Sequence, residues 1–315
     1  MLRFLLPLLA ASAALAADPL YEISGRIDPP SRASVSLYGD TTPFSDSTLA
    51  GVNGRFRFRK IRRGTYTLSI VIRSRGEARQ TVQVGPGTAD QHGRVDLKVE
   101  LKDSDFTYSG ILRRHSVSAR ELTIPGAAMR DYREAQKDLS RHDVDAAVKH
   151  LEEAVARAPQ FAAAWNNLGT IAYQTRKFER AEECFRQALA QDPQFYEAMV
   201  NLGGVLVNLH RLDEALAYNE KAATARPNDA LANSQLGVTY FLLGDLDLAV
   251  KYLQQARQID PAHFSNPQLL LYQIHMRRGE RAAAAESLED FLRYHPDWPQ
   301  AAQLRKILTQ LRAAR

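Results

Sequence analysis

Five prolines divide the second half of the chain at an even pitch. Pro159, Pro193, Pro227, Pro261 and Pro296 are separated by 34, 34, 34 and 35 residues. Small residues keep the same beat: Ala135, Gly169, Gly203 and Gly237 lie 34 apart, as do Ala147, Ala181, Ala215 and Ala249, and Ala154, Ala188, Ala222 and Ala256. Self-similarity at a fixed period of this length marks a stacked solenoid, in which each unit touches only its neighbours. Such a chain folds into an extended surface, which holds a partner more readily than it encloses a substrate.

Within one period, leucine and aromatic residues recur at three- and four-residue spacing, the pattern of an amphipathic helix. Each period predicts a pair of short helices. Glycine or alanine in the first and alanine in the second let the two axes approach, and the proline ends the second. One helix pair cannot bury its apolar face alone, so neighbours must stack.

The stretch Trp165-x2-Leu168-Gly169, then Ala181-x3-Phe185, Ala188 and Pro193, resembles the tetratricopeptide repeat pattern W-x2-L-G-x2-Y, A-x3-F, P. It departs at Ala172, where tyrosine is expected, with Tyr173 following. Neighbouring copies carry Leu202-Gly203 with Ala215, and Leu236-Gly237-x2-Tyr240 with Ala249 and Leu253. Residues 126–296 hold about five such repeats. The first is degenerate, with Glu134 in the leucine position. The last has Tyr272 and Phe291 at small-residue positions and one extra residue between Pro261 and Leu271. Residues 297–315 predict a capping helix with Ala301, Leu304, Leu308 and Leu311 as its apolar stripe.

The chain starts Met1-Leu2-Arg3, followed by an apolar run from Phe4 to Leu15 and the triplet Ala14-Leu15-Ala16. A basic start, an apolar core and an A-x-A site are the parts of a secretory signal peptide, assigned to residues 1–17. The run is short for a membrane span and contains Pro7. No cysteine stands at the cleavage site to carry a lipid. The expectation is an exported protein, periplasmic or extracellular, soluble and not a lipoprotein. Cys184 is the one cysteine, so no internal disulfide forms. It reads as a small buried residue of a second helix, with an intermolecular or redox role as the other option.

Residues 18–103 alternate with period two. Phe56 and Phe58 interleave with Arg55, Arg57 and Arg59; Tyr66, Leu68 and Ile70 interleave with Thr65, Thr67 and Ser69. This pattern predicts about seven short strands in a β-sandwich with one wet face to each sheet. Asn53-Gly54 is a hairpin signal. The strings Ser24-Gly25-Arg26-Ile27, Asn53-Gly54-Arg55-Phe56-Arg57-Phe58 and Gly64-Thr65-Tyr66-Thr67-Leu68 resemble the carboxypeptidase regulatory-like domain, a transthyretin-like sandwich. The resemblance implies a structural module without catalytic residues, grouped with starch-binding-like folds, which points toward a glycan only by analogy of fold. The expected class is therefore multidomain: an all-β sandwich, a junction segment over 104–125, and an all-α solenoid.

Two candidate sites follow. In tetratricopeptide arrays the first helix of each pair lines the concave groove. Asn167, Asn201 and Gln235 occupy one groove position, 34 apart. Each amide offers two donors and an acceptor, suited to the backbone of an extended peptide or protein segment. Thr170, Gln174 and Asn208 extend the polar strip, and Tyr173 and Phe241 add apolar contacts. The same asparagines also fit a bland role, solvated or bonded within the array. The lysines of the chaperone-tail clamp are absent, so that activity is not implied. The second site is basic. Residues 55–63 hold six positive charges, and Arg55, Arg57 and Arg59 share one strand face. That face fits an anionic glycan, lipid headgroup or acidic protein, or else a solvated edge that discourages pairing.

Net charge is +5, from 41 Lys and Arg against 36 Asp and Glu. Between Asp18 and Asp103 there are 14 basic and 10 acidic residues, so the excess sits in the β region. No nucleic-acid motif accompanies the basic strand. The eight histidines are scattered, with no H-E-x-x-H zinc pair, no G-x-S-x-G elbow and no phosphate loop. The expectation is a non-enzymatic chain with no cofactor, metal or membrane span.

Overall fold

The computed structural model describes residues 19–106 and 123–313. The segment read as an export signal, and residues 107–122 of the junction, lie outside the described residues.

Seven strands open the described chain: β1 Tyr21–Asp28, β2 Ala33–Gly39, β3 Ser45–Ala50, β4 Arg55–Ile61, β5 Gly64–Ile72, β6 Gly76–Val84 and β7 Arg94–Glu100. They form two small sheets, ordered β4-β1-β7 and β3-β2-β5-β6. Only the β1–β7 pairing is parallel. The alternation seen in sequence places Ile23, Ile27, Val35, Leu37, Phe58, Tyr66, Leu68 and Ile70 in a single apolar cluster shared by both sheets. Gly54 turns β3 into β4 at φ 72°, where an added Cβ would lie 2.6 Å from the Ile27 carbonyl oxygen. Only glycine meets both conditions.

Ten helices then form five pairs: α1 Gly126–Ser140 with α2 Val144–Arg157, α3 Ala162–Gln174 with α4 Phe178–Gln191, α5 Tyr196–Asn208 with α6 Leu212–Ala225, α7 Ala230–Leu243 with α8 Leu246–Ile259, and α9 Pro267–Arg277 with α10 Arg281–Tyr294. An eleventh, α11 Ala301–Ala313, packs on α10.

The 34-residue beat has a steric cause. A Cβ added at Gly169 would lie 2.6 Å from the Phe185 ring, and one at Gly237 would lie 2.7 Å from Leu253. At Gly203 the same approach brings Asn219 Oδ1 to 2.0 Å of that position. The first helix of each of these pairs thus presses its backbone onto one buried side chain of the second. Each turn inside a pair is also alike. His142, Arg176 and His210 hold φ near 60°, and Gly244 and Gly279 take the equivalent positions. The next residue donates its N–H to a carbonyl five back, as Asp143 does to Asp138 and Arg211 to Leu206. This bonding closes a helix end through a left-handed residue. Among the described residues no helix is long and apolar enough to cross a membrane.

Candidate functional site

The polar strip expected along the first helices is bonded from repeat to repeat. Asn167 Nδ2 donates to the Tyr132 hydroxyl at 3.1 Å, Asn201 Nδ2 to Asn166 Oδ1 at 3.1 Å, and Asn208 Nδ2 to the Tyr173 hydroxyl at 3.2 Å. Each bond joins residues 35 apart, one repeat length plus one. Thr170, half-buried, donates to the Asn166 carbonyl of its own helix. Gln235 is half-buried against Gly204, and its Oε1 is buried without a hydrogen-bond partner. Phe241 lies under the Arg277 guanidinium, 4.5 Å from the ring centre. Burial raises the Tyr173 hydroxyl pKa.

Gln174 does something different. Its Nε2 donates to the carbonyls of Gly39, at 2.7 Å, and Asp40. It therefore joins the array to the β unit. The other joining contacts run diagonally across the array, from the turns of its first pairs to the loops of its last. Phe44 stacks on His142 with ring centres 4.8 Å apart. Arg79 Nη2 lies 3.3 Å from Glu197 Oε1 at the start of α5. The Thr81 backbone N–H, on the open edge of β6, donates to Asp260 Oδ2 at 2.9 Å. Gln83 Nε2 reaches the Ala262 carbonyl and His295 Nδ1. Both oxygens of Asp297 accept the Gly87 N–H, and its carbonyl accepts from Arg63.

The outer face of the four-stranded sheet was expected to be wet. Ser69, Glu77 and Thr81 on that face are instead 2, 8 and 9% exposed. Ser69 donates to Glu77, which also receives Arg79. The polarity of the face serves contact with the helices and with itself. Asp40 and His295 are drawn into the same zone. Burial pushes the Asp40 carboxyl up to about 7, against the bond from Thr67 Oγ1. Burial, with His263 nearby, pulls His295 down to about 4.

On the three-stranded sheet, Arg55, Arg57 and Arg59 do share an exposed face, with Phe56 and Phe58 beneath. Their charges are not equivalent. Glu22 on β1 draws in Arg57, Arg59 and Arg94 at 3.4–3.5 Å. Arg55 lies instead across the strand pair from Arg26, and Arg26 from Lys98, so three cations form one row. Lys98 is held by Asp28 and Glu100. The row floors an open trough of 910 Å³, with Leu49 on its wall. Arg26 was missed in the sequence because it lies outside the basic run. The alternation of β1 alone would have put it on this face.

Cys184 is fully buried in the apolar cluster that the first repeat and α3 form, and burial pushes its thiol up to about 11. No cluster of metal-binding side chains occurs among the described residues.

The comparisons with known proteins fall on the helical part. A family model described as the cilia and flagella-associated protein 70 middle TPR-like domain matches residues 133–260, and a tetratricopeptide repeat model matches 240–308. The helical part is thus a solenoid of tetratricopeptide repeats. Its similar solved structures include PilW, described as a widely conserved type IV pilus biogenesis factor: 23% identity, TM-score 0.53, covering 60% of this chain and 87% of PilW. PilF of Pseudomonas aeruginosa has 20% identity and a TM-score of 0.52, covering 62% of this chain and 86% of its own. MamA from Desulfovibrio magneticus RS-1 has 21% identity and a TM-score of 0.50, covering 56% and 99%. At these identities the likeness is one of fold. No curated protein sequence matches the chain.

Proposed function

We propose that this protein is an exported, non-enzymatic scaffold whose tetratricopeptide array holds a protein or extended peptide in the cell envelope. The observation that carries it is the strip of amides fixed by cross-repeat hydrogen bonds. Asn167 and Asn201 each use one amide donor in these bonds, and Asn208 also donates to the Gly204 carbonyl of its own helix. The strip is held in one orientation before any ligand arrives, which lowers the ordering cost of binding. In this reading residues 1–17 are a cleaved signal. Residues 18–103 are a carboxypeptidase regulatory-like β-sandwich, a reading supported by two sheets over one core. Residues 126–296 are the repeats, and 297–315 the cap. The histidines support a structural role: His142 stacks on Phe44, His295 on Phe291, and His150 and His275 bond to Asp138 and Glu280. The test is binding of an array of extended synthetic peptides to the full chain and to the Asn201→Ala/Asn208→Ala variant. Loss of at least the tightest interactions is expected; unchanged binding refutes the strip.

A second reading places the ligand on the β unit. Arg26 and Arg55 face one another across strands, a like-charge pair that destabilises a sheet unless something neutralises it. An anionic glycan along the trough supplies that charge. Heparin serves as the probe. Arg26→Ala/Arg55→Ala is expected to weaken its binding more than Arg57→Ala/Arg59→Ala, because Glu22 already holds the latter two.

A further inference from the structure

The β unit lies against the array mainly through polar contacts, the stacking of Phe44 on the His142 ring being the aromatic one. Gln174, Glu197, Asp260, Ala262, His295 and Asp297 meet it by hydrogen bonds and one ion pair. The apolar cores do not cross. The cluster shared by the two sheets contains no residue of the helix pairs, and the clusters of the helix pairs contain none of the strands. Two atoms of this zone, Asp40 Oδ2 and His295 Nε2, are buried without hydrogen-bond partners. An interface that is polar and partly unsatisfied resembles a transient protein–protein contact. Movement of one unit on the other is then the default behaviour.

The cover also takes up the array's binding chemistry. Gln174, one of the strip residues, spends its amide on the Gly39 and Asp40 carbonyls. Asp260 satisfies the open N–H of edge strand β6, as a backbone ligand would be satisfied. We propose that the β unit is an internal occupant of the array, a removable cover that a partner of the array displaces. The part about a partner rests on the scaffold reading above; the cover itself does not, and is tested without any partner.

The experiment uses the full chain. Asp260→Ala/Asp297→Ala removes the acceptors of the Thr81 and Gly87 amides. Amide hydrogen exchange at Thr81 and Gly87 is expected to rise by about tenfold or more, since exchange reports local opening. The radius of gyration from solution scattering should rise with it, while helix content by circular dichroism stays unchanged. A locked counterpart, Gly87→Cys/Asp297→Cys on a Cys184→Ser background, supplies the control. A Cβ built at Gly87 lies 3.1 Å from Asp297 Cγ, within reach of a disulfide. The oxidised chain should stay compact and show slower exchange at Thr81 than the native chain, because the disulfide blocks the opening that a removable cover undergoes.

Wild-type exchange and scattering in the double alanine variant overturn the proposal, and so does loss of helix content, because the contact is then part of the permanent fold. For the partner step, a reduced and carboxymethylated protein serves as an extended-chain probe. Equal binding to the locked and unlocked chains overturns displacement and spares the scaffold reading. Binding to neither, with opening still observed, removes the scaffold reading and spares the cover.

Discussion

Asn219 occupies a position that the other repeats give to Leu151, Phe185 and Leu253, and it is fully buried. Its Nδ2 donates to Thr239 Oγ1 at 3.0 Å, but its Oδ1 is buried without a partner. Substitution Asn219→Leu removes that carbonyl, whose burial costs about 1–3 kcal/mol, and gives up one hydrogen bond worth about 0.5–1.5 kcal/mol. Thr239 keeps its bond to the Gln235 carbonyl, so no new donor is stranded. A leucine fits, because Leu253 already packs against Gly237 in the next repeat as Asn219 does against Gly203. Its apolar burial adds to the gain. The net expectation is stabilisation by about 1–2 kcal/mol, with the melting midpoint rising by roughly 2–4 °C per kcal/mol for a unit of this size. Urea unfolding followed by circular dichroism measures it. The companion Asn219→Asp buries an unpaired charge and should lose about 3 kcal/mol or more. If Asn219→Leu is destabilising, the repeat equivalence of Gly203–Asn219 and Gly237–Leu253 is wrong as a packing rule.

Asp40 has a folded pKa raised by burial to about 7, well above its unfolded value, so native chains bind the extra proton and stability falls as pH rises from about 4 to 7. Asp40→Asn should remove that fall, on the order of 4 kcal/mol, read as unfolding free energy at pH 4 and pH 8. His295 acts in the opposite sense over the same range. Burial lowers its folded pKa to about 4, so stability is lost as pH falls from its ordinary value toward 4. The two slopes partly cancel in the native chain, and His295→Gln should expose the Asp40 slope alone; an unchanged profile in either variant refutes the assignment. Arg176 holds φ 61° with no glycine's freedom. Arg176→Gly should stabilise by about 0.5–1 kcal/mol, relief of a strained turn exceeding the entropy glycine adds, and thermal melting checks it.

What the sequence displays, and what it hides, divide along one physical line. The repeats are legible because their packing is local and periodic. Gly169 meets Phe185, and Gly237 meets Leu253, sixteen residues away in both cases. The strands are legible because Phe56 and Phe58 must point one way if Arg55 and Arg57 point the other. Residue type records transfer from water, and for apolar side chains that signal is one-sided. For polar side chains it is not. Ser69 and Thr81 have the composition of a solvated sheet face, yet they are 2 and 9% exposed. A serine facing water and a serine facing a polar helix end look the same in sequence. The bond from Thr81 to Asp260 joins residues 179 apart and leaves no local pattern.

The same limit governs the candidate sites. The basic strand drew attention because Arg55, Arg57 and Arg59 are neighbours in sequence, but Glu22, a strand away, divides them into held and open charges. The amide strip drew attention because it is periodic. Its end residue Gln174 is nevertheless committed to the β unit, through backbone carbonyls that any sequence would present. A groove that recognises main-chain carbonyls cannot tell an external peptide from the edge of its own sheet by sequence. It can tell them apart only by effective concentration, which covalent linkage raises for the tethered occupant. An external partner must therefore bring contacts that the β unit does not make. Asn208, exposed, and Phe241 lie on the strip away from Gln174, and they are where such contacts would fall.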